Sequence, residues 1–294
     1  MRKCFAWLMA LVLGCSAACA RAEVYVNAEA PADWAERALL RLTVIDVDRS
    51  DAMLLECGGE AMMVDGGSGE FKERVFDAVD AAGVTRFQYL FNTHADSDHI
   101  HGLMYLMSSK RYQVDMFASP NEESYQGALG LHSYAVRLTK MLDIPYHQVE
   151  DGEQLTLGGA QLQVMRNLEP WGPNARSAVL MVTFGECRVL LTGDIDARTM
   201  EHYVEKYGAE ALKADILKAP HHGIATIGDA FREAVAPEVI FVTNMRENST
   251  SFHVYMTRIA PEIRLMYAGD GTIVMETDGA DWYIRQEAPE NDAA

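Results

Sequence analysis

Short aliphatic and β-branched runs recur along the chain, separated by glycine turns and a few stretches of helical spacing. Leu40 to Val47 is one such run, and Met53 to Cys57 continues it. Gly58-Gly59 supplies a tight turn, after which Ala61 to Val64 returns and ends on Asp65-Gly66-Gly67. That pattern predicts a β-hairpin. Phe71, Val75, Phe76, Val79 and Ala82 repeat at helical spacing, with Gly83 as the stop. Tyr89 to Phe91 and Val114 to Ala118 read as short strands, and Tyr125 to Leu142 as a helix ending near Pro145.

A second block repeats the arrangement. Gln161 to Met165, Ala178 to Phe184 and Val189 to Leu191 read as strands, Met200 to Tyr207 as a helix, and Asp215 to Ala219 as a strand. A helix over Phe231 to Val235 follows, then strands at Val239 to Val242, Leu265 to Ala268 and Thr272 to Met275. The tail after Ile284 is acidic and reads as loose. Strands followed by strand–helix alternation, twice over, predict two sheet-plus-helix halves packed face to face.

The first residues read differently. Arg2 and Lys3 precede an apolar run from Phe5 to Ala20, and Ala20-Arg21-Ala22 offers a small-x-small cleavage site. This is the order of a secretory signal peptide over residues 1–22, leaving 23–294 as one domain. The run is short for a membrane span. Export would place the chain in the periplasm or outside the cell. Val12-Leu13-Gly14-Cys15 resembles a lipoprotein box, so Cys15 is a candidate lipid anchor.

Charge and cysteines narrow the picture. The net charge is -18, from 43 acidic and 25 basic residues, which counts against a nucleic-acid partner unless a local basic cleft exists. A small-molecule or phosphoester substrate is the better expectation. Of the cysteines only Cys57 and Cys187 lie beyond the signal region; both sit in glycine-rich turns, and a disulfide between them is open.

The densest chemistry is His94-Ala95-Asp96-Ser97-Asp98-His99, directly after a predicted strand. Two imidazoles and two carboxylates this close are costly unless cations neutralise the acids. One metal ion would take His94 and Asp96, another Asp98 and His99. The alternative is a polar helix start capped by Asp96 or Asp98. Two further strands end on donors of the same kind: Thr192-Gly193-Asp194 and Pro220-His221-His222-Gly223. Together they form a consistent ligand set, with Asp194 able to bridge two metals.

These motifs, in this order, resemble the metallo-β-lactamase superfamily. With Asp96 in place of the usual second histidine, they are similar to the hydrolase domain of ComEC-type DNA-uptake proteins and to the bacterial phosphorylcholine esterases. Ile45 to Ala52, Met63 to Gly67, Asn174 to Leu180 and Leu212 to Lys218 extend the likeness over roughly residues 40–277. The resemblance implies an α/β fold, the four-layer αββα metallo-β-lactamase-like sandwich. It implies one site of His94, Asp96 and Asp194, and another of Asp98, His99, His222 and the shared Asp194. His222 is chosen over His221 because the family's metal histidine tends to precede a small-residue turn. Asp98 and His221 then carry catalytic roles, His221 as an acid or substrate contact, while Asp65 orients a ligand histidine.

The chain departs from the ComEC pattern at Asp48-Arg49-Ser50-Asp51, where two turn glycines are missing, at His101-Gly102, and at Ile224. No histidine stands near Asn174, where many members supply a ligand. Two divalent ions, zinc by default and manganese for the oxygen-rich site, imply a hydrolase using a hydroxide held between them. Phosphodiesters are the expected substrates. Carboxylic esters, lactones or amides are the alternative, and a non-catalytic exported binding protein on the same fold is the third reading.

Overall fold

The computed structural model describes residues 21–169 and 171–287. Most of the signal segment, including Cys15, lies outside the described residues. Arg21 and Ala22 are described: Ala22 is buried, and Arg21 pairs with Glu238 at 3.2 Å.

One sheet has nine strands: β1 (Val24–Val26), β2 (Leu40–Val44), β3 (Ala52–Cys57), β4 (Glu60–Gly66), β6 (Tyr89–Phe91), β8 (Phe117–Ser119), β9 (Tyr146–Gln148), β17 (Ile273–Thr277) and β18 (Trp282–Gln286). Its order is β1-β18-β17-β2-β3-β4-β6-β8-β9. A second sheet holds β10 (Gln154–Leu157), β11 (Ala160–Met165), β12 (Val179–Phe184), β13 (Cys187–Leu191), β14 (Ile216–Lys218), β15 (Val239–Val242) and β16 (Arg264–Tyr267), in chain order. A small ribbon pairs β5 (Arg86–Phe87) with β7 (Gln113–Val114). The helices are α1 (Lys72–Ala81), α2 (Ser97–Ser109), α3 (Leu131–Met141), α4 (Ala197–Leu212), α5 (Asp229–Val235) and α6 (Thr250–Ile259).

Period-two alternation sorts the strands into layers. Met53 and Leu55 of β3 join Leu40, Leu42 and Val44 of β2 in the core between the sheets, while Leu54 turns to the other face. On β13, Val189 and Leu191 face the first sheet, and Leu190 packs with Tyr203 and Met200 of α4. Leu54 meets Ile100 and Leu103 of α2 and Val75 of α1. The result is helix, sheet, sheet, helix: the αββα sandwich expected from the sequence. No helix among the described residues is long and apolar enough to cross a membrane.

The structure corrects two expectations, adds one helix and answers the open question of the cysteines. The helix expected from Tyr125 begins only at Leu131, because Gly127, Leu129 and Gly130 adopt positive φ. The tail is ordered through Gln286, since β18 pairs with both β17 and β1. Thr250–Ile259 is a helix that the reading passed over. Cys57 and Cys187 are free; both are buried, and the Thr277 hydroxyl donates to Cys187 Sγ at 2.9 Å.

Candidate metal centre

Topology gathers the site at one edge. β4 runs parallel to β6, and β13 to β14 and β15, so their C-terminal ends lie on the same side. β6 delivers His94, β13 delivers Asp194, and β14 delivers His221 and His222. β3 is antiparallel to β4, so Asp51, just before its first residue, reaches the same edge.

Local backbone turns these groups inward. His221 and His222 both have left-handed backbones, at φ 50° and 53°, and Asp65 sits at 54°. Such non-glycine conformations cost about 1–3 kcal/mol each and persist where surroundings impose them. Helix α2 must approach β4 closely: a Cβ on Gly102 would meet the Gly66 carbonyl oxygen at 1.7 Å. That explains why glycine is kept at 102 although His101 replaces its neighbour. Asp96 occupies the N-cap position of α2 without any side-chain capping bond. Its carboxylate is therefore not serving as the helix cap, one of the two caps that the alternative reading offered.

Three imidazoles are held by their Nδ1 atoms. Asp65 Oδ2 lies 2.8 Å from His99 Nδ1, and the same carboxylate accepts from Thr93 N, Thr93 Oγ1 and Asn92 Nδ2. Thr93 Oγ1, its own proton given to Asp65, stands 3.2 Å from His94 Nδ1. Thr243 Oγ1 donates to Asp51 and lies 3.0 Å from His222 Nδ1, which is also 3.2 Å from Asp51 Oδ1. With Nδ1 donating in each case, the neutral rings carry their lone pairs on Nε2.

Those Nε2 atoms converge on one oxygen. Asp194 Oδ2 lies 3.2 Å from His222 Nε2, 3.3 Å from His99 Nε2 and 3.9 Å from His94 Nε2. His99 Nε2 and His222 Nε2 are 3.3 Å apart. His94 Nε2 is buried and has no hydrogen-bond partner. Lone pairs facing each other and a carboxylate repel unless a cation stands among them, either protons on the rings or a metal ion. Asp98 Oδ2 closes one side, 3.4 Å from His222 Nε2, and Asp96 Oδ2 the other, 3.7 Å from His94 Nε2. His221 Nε2 is 3.7 Å from Asp194 Oδ2, and Asn174 Nδ2 is 3.5 Å from that Nε2. His221 thus fills the region beside Asn174 where no histidine occurs in sequence.

Asp51, His99, Asp194 and His222 bring donor atoms within 4.8 Å of one another, a group able to hold a metal ion. Asp51, however, approaches the Nδ1 sides of the rings, at 3.2 and 3.7 Å. It lies behind the histidines, so it orients them and balances charge.

Lys218 was quoted above only within a resemblance, yet it lies fully buried in the floor. Its Nζ is 2.8 Å from Asp51 Oδ2, 2.8 Å from the Gly193 carbonyl and 3.5 Å from Asp194 Oδ1. A lysine inside the apolar run Ile216-Leu217-Lys218-Ala219 was the sequence signal for it.

The charges are mutually adjusted. Burial alone would depress His99 and His222, but Asp194, together with Asp65 or Asp51, lifts His99 well above its ordinary value and His222 to about 10. Burial opposes ionisation of Asp194, yet His99 and His222 hold its pKa well below the usual range. Asp98 drops to about 2 because His222 and His99 outweigh its burial. His221 is lowered, chiefly by burial. These directions describe the metal-free protein.

The open face is a cleft of about 620 Å³ over Asp98, bordered by Arg49, Ser68, Ser97, Ile224 and Asn248.

The family model of the metallo-beta-lactamase superfamily matches residues 45–238, two thirds of the chain. The chain belongs to the metallo-beta-lactamase superfamily. Its edge constellation is accordingly the possible metal site of a metal-dependent hydrolase fold. This superfamily member is 27% identical over 199 residues to competence protein ComA of Neisseria gonorrhoeae, covering 67% of this chain and 26% of that protein. It is 23% identical over 269 residues to recombination protein 2 of Haemophilus influenzae, covering 83% and 31%. The chain thus spans less than a third of the length of these curated relatives. Among solved structures, the metallo-beta-lactamase fold protein YhfI from Bacillus subtilis aligns with TM-score 0.56 at 13% identity, over 82% of this chain and 100% of that one. Igni18, a metallo hydrolase from Ignicoccus hospitalis, gives 0.50 at 14% identity, over 80% and 98%. At these identities the likeness concerns the fold.

Proposed function

We propose that this protein is an exported phosphodiesterase that works with two divalent ions. The observation that carries the reading is the convergence of three Nε2 lone pairs on Asp194 Oδ2, with a carboxylate at either side. The donors fit two ions sharing Asp194. His94, Asp96 and His221 would hold one; Asp98, His99 and His222 would hold the other. Imidazoles favour zinc, while a set containing Asp96, Asp98 and Asp194 is oxygen-rich enough for manganese. Bound there, such ions supply an activated water and neutralise charge developing on phosphoryl oxygens.

The chain's own residues do the rest. Asp65, Thr93 and Thr243 fix the ring tautomers, and Lys218 holds Asp194 by its Oδ1 so that Oδ2 faces the histidines. Asp98, partly exposed at the cleft and strongly acidic, stays ionised and orients whatever sits in front of it. His221, first expected as an acid, is neutral at ordinary pH because burial lowers it, which suits a donor of its lone pair better. The leaving-group proton then comes from solvent through the open cleft. Phosphodiesters are favoured over carboxylic esters because the relatives are competence and recombination proteins, and because Asp96 replaces an imidazole. Export is supported by the order of residues 1–22.

The test is metal content by mass spectrometry, with bis-(p-nitrophenyl) phosphate turnover on the same sample. Wild type should carry about two ions and turn over; Asp194→Ala should lose both. A wild type that takes up neither zinc nor manganese would overturn the assignment.

A further inference from the structure

A second cleft, of about 270 Å³, opens on the Asn174 side of the metal centre. Arg166 and Arg176 line it with Asn121, Gln148, Asn167 and Tyr125. Against these two guanidiniums stands one lining carboxylate, the exposed Glu122. In a chain with 43 acidic and 25 basic residues this local excess of positive charge is unusual.

Neither arginine has a hydrogen-bonded counter-ion. Arg166 is only 12% exposed; two of its N–H groups serve the Val149 and Pro120 carbonyls, and its Nε is buried with no partner. Its nearest carboxylate, Glu150, is 3.8 Å away and largely exposed. Arg176 is exposed and rests its guanidinium over the Tyr125 ring, 6.0 Å from the centroid, with no carboxylate partner among the described residues. A nearly buried cation balanced only by one distant, exposed carboxylate keeps part of its desolvation cost, and an anionic ligand would reduce it. Guanidiniums and side-chain amides together are the donors that phosphate oxygens select.

The loop that carries Arg176 ties the cleft to the metal centre. Arg176 follows Asn174, which touches His221, by two residues, a span of at most about 7 Å. The next residue, Ser177, accepts from Asp194 N at 3.2 Å, and Ala178 N donates to Thr93 O. Asn167 ties the floor to the same loop through Ala175 O. Two residues after Tyr125, a Cβ on Gly127 would lie 2.8 Å from Ala95 Cβ, within the His94 motif.

The geometry points to an anion subsite between Arg166 and Arg176 that holds a second phosphate of the substrate, beside the one being cleaved. This rests on the phosphodiesterase reading for its place in turnover, though not for the binding itself. The second phosphate is either a terminal monoester on a small molecule or the next diester of a polynucleotide.

Binding is read first, by titrating inorganic phosphate into chelator-treated, metal-free protein in a calorimeter. Wild type should bind, Arg176→Ala should bind at least tenfold more weakly, Arg176→Lys should recover part of the loss, and the remote surface variant Arg258→Ala should match wild type. Equal binding by wild type and Arg176→Ala, or none by wild type, would overturn the subsite. Turnover then separates the sources. A dinucleotide is compared with and without a terminal phosphate, alongside a short single-stranded oligonucleotide. If Arg176→Ala raises KM for the phosphorylated dinucleotide, the ligand is a terminal monoester; if only for the oligonucleotide, it is the neighbouring diester. An unchanged KM for both counts against the subsite. Phosphate binding lost in Arg176→Ala, with no turnover of any diester by wild type, would keep the subsite and remove the phosphodiesterase reading.

Discussion

Lys218 shows how much of the site rests on charge balance. It is fully buried and sits between Asp51 and Asp194. Replacing it with methionine leaves Asp51 Oδ2 and Asp194 Oδ1 buried without their ammonium, at a cost of about 3–5 kcal/mol. Urea unfolding of Lys218→Met should show that loss, and the double variant with Asp51→Leu should regain most of it; a single variant as stable as wild type would refute the pairing. Protonation adds a second test. In the metal-free protein His222 is raised to about 10 from an ordinary 6.5. The stability it contributes is full below about pH 6.5 and fades as pH climbs towards 10. Asp98, lowered to about 2, contributes above about pH 4 and loses its share as pH falls towards 2. Thermal melts in chelator should therefore give a higher midpoint at pH 5.5 than at pH 9, with a smaller difference in His222→Asn. Metal binding must displace those ring protons, so affinity should rise across the same interval. An affinity independent of pH would contradict the proposed imidazole ligands.

At the scale of elements, the meeting of α2 and β4 is the tightest constraint. Gly102 and Gly66 approach so closely that no side chain fits between them. Gly102→Ala should destabilise the fold by about 3 kcal/mol or more, by pushing the helix that carries Asp98 and His99 off its sheet. Chemical denaturation reads the loss, and a change under about 1 kcal/mol would show that the helix can shift freely. Strands with a clear apolar run, such as Val239–Val242 and Tyr89–Phe91, were legible to the residue, because burial on both faces leaves an unbroken pattern. Thr250–Ile259 was not: its apolar residues are interleaved with Ser251, His253 and Arg258, and only packing against the second sheet resolves it. The donors of the His94 motif were visible because they crowd together in sequence. Asp51 and Thr243 were not, and Lys218 showed only as a lysine in an apolar run, since the three come from separate strands and meet only through the parallel pairing of β13, β14 and β15 and the hairpin of β3 and β4.

For the molecule as a whole, the two described cysteines are far from chemistry. Both are buried, and burial raises the Cys187 thiol to about 12. Native protein should react slowly with thiol reagents at these positions, and unfolding should expose both; rapid labelling of Cys187 in the native state would contradict its burial. The acidic surface has a matching consequence for the anion cleft. With a net charge of -18, long-range repulsion of phosphates is strong at low salt and screened at higher salt. Association of an anionic substrate should therefore speed up with moderate salt, the reverse of a basic nucleic-acid binder. Stopped-flow measurement across ionic strength gives the sign.

The nine-stranded sheet joins the first and last strands of the described residues. β2 pairs with β17, and β1 lies against β18, more than 250 residues later in sequence. The sheet cannot close until the last strand has left the ribosome. During synthesis the amino-terminal hairpin waits with an open edge, and contacts this remote make for slow folding. Until β17 and β18 arrive, β2 and the edge it offers are open to any other chain that can pair with a strand.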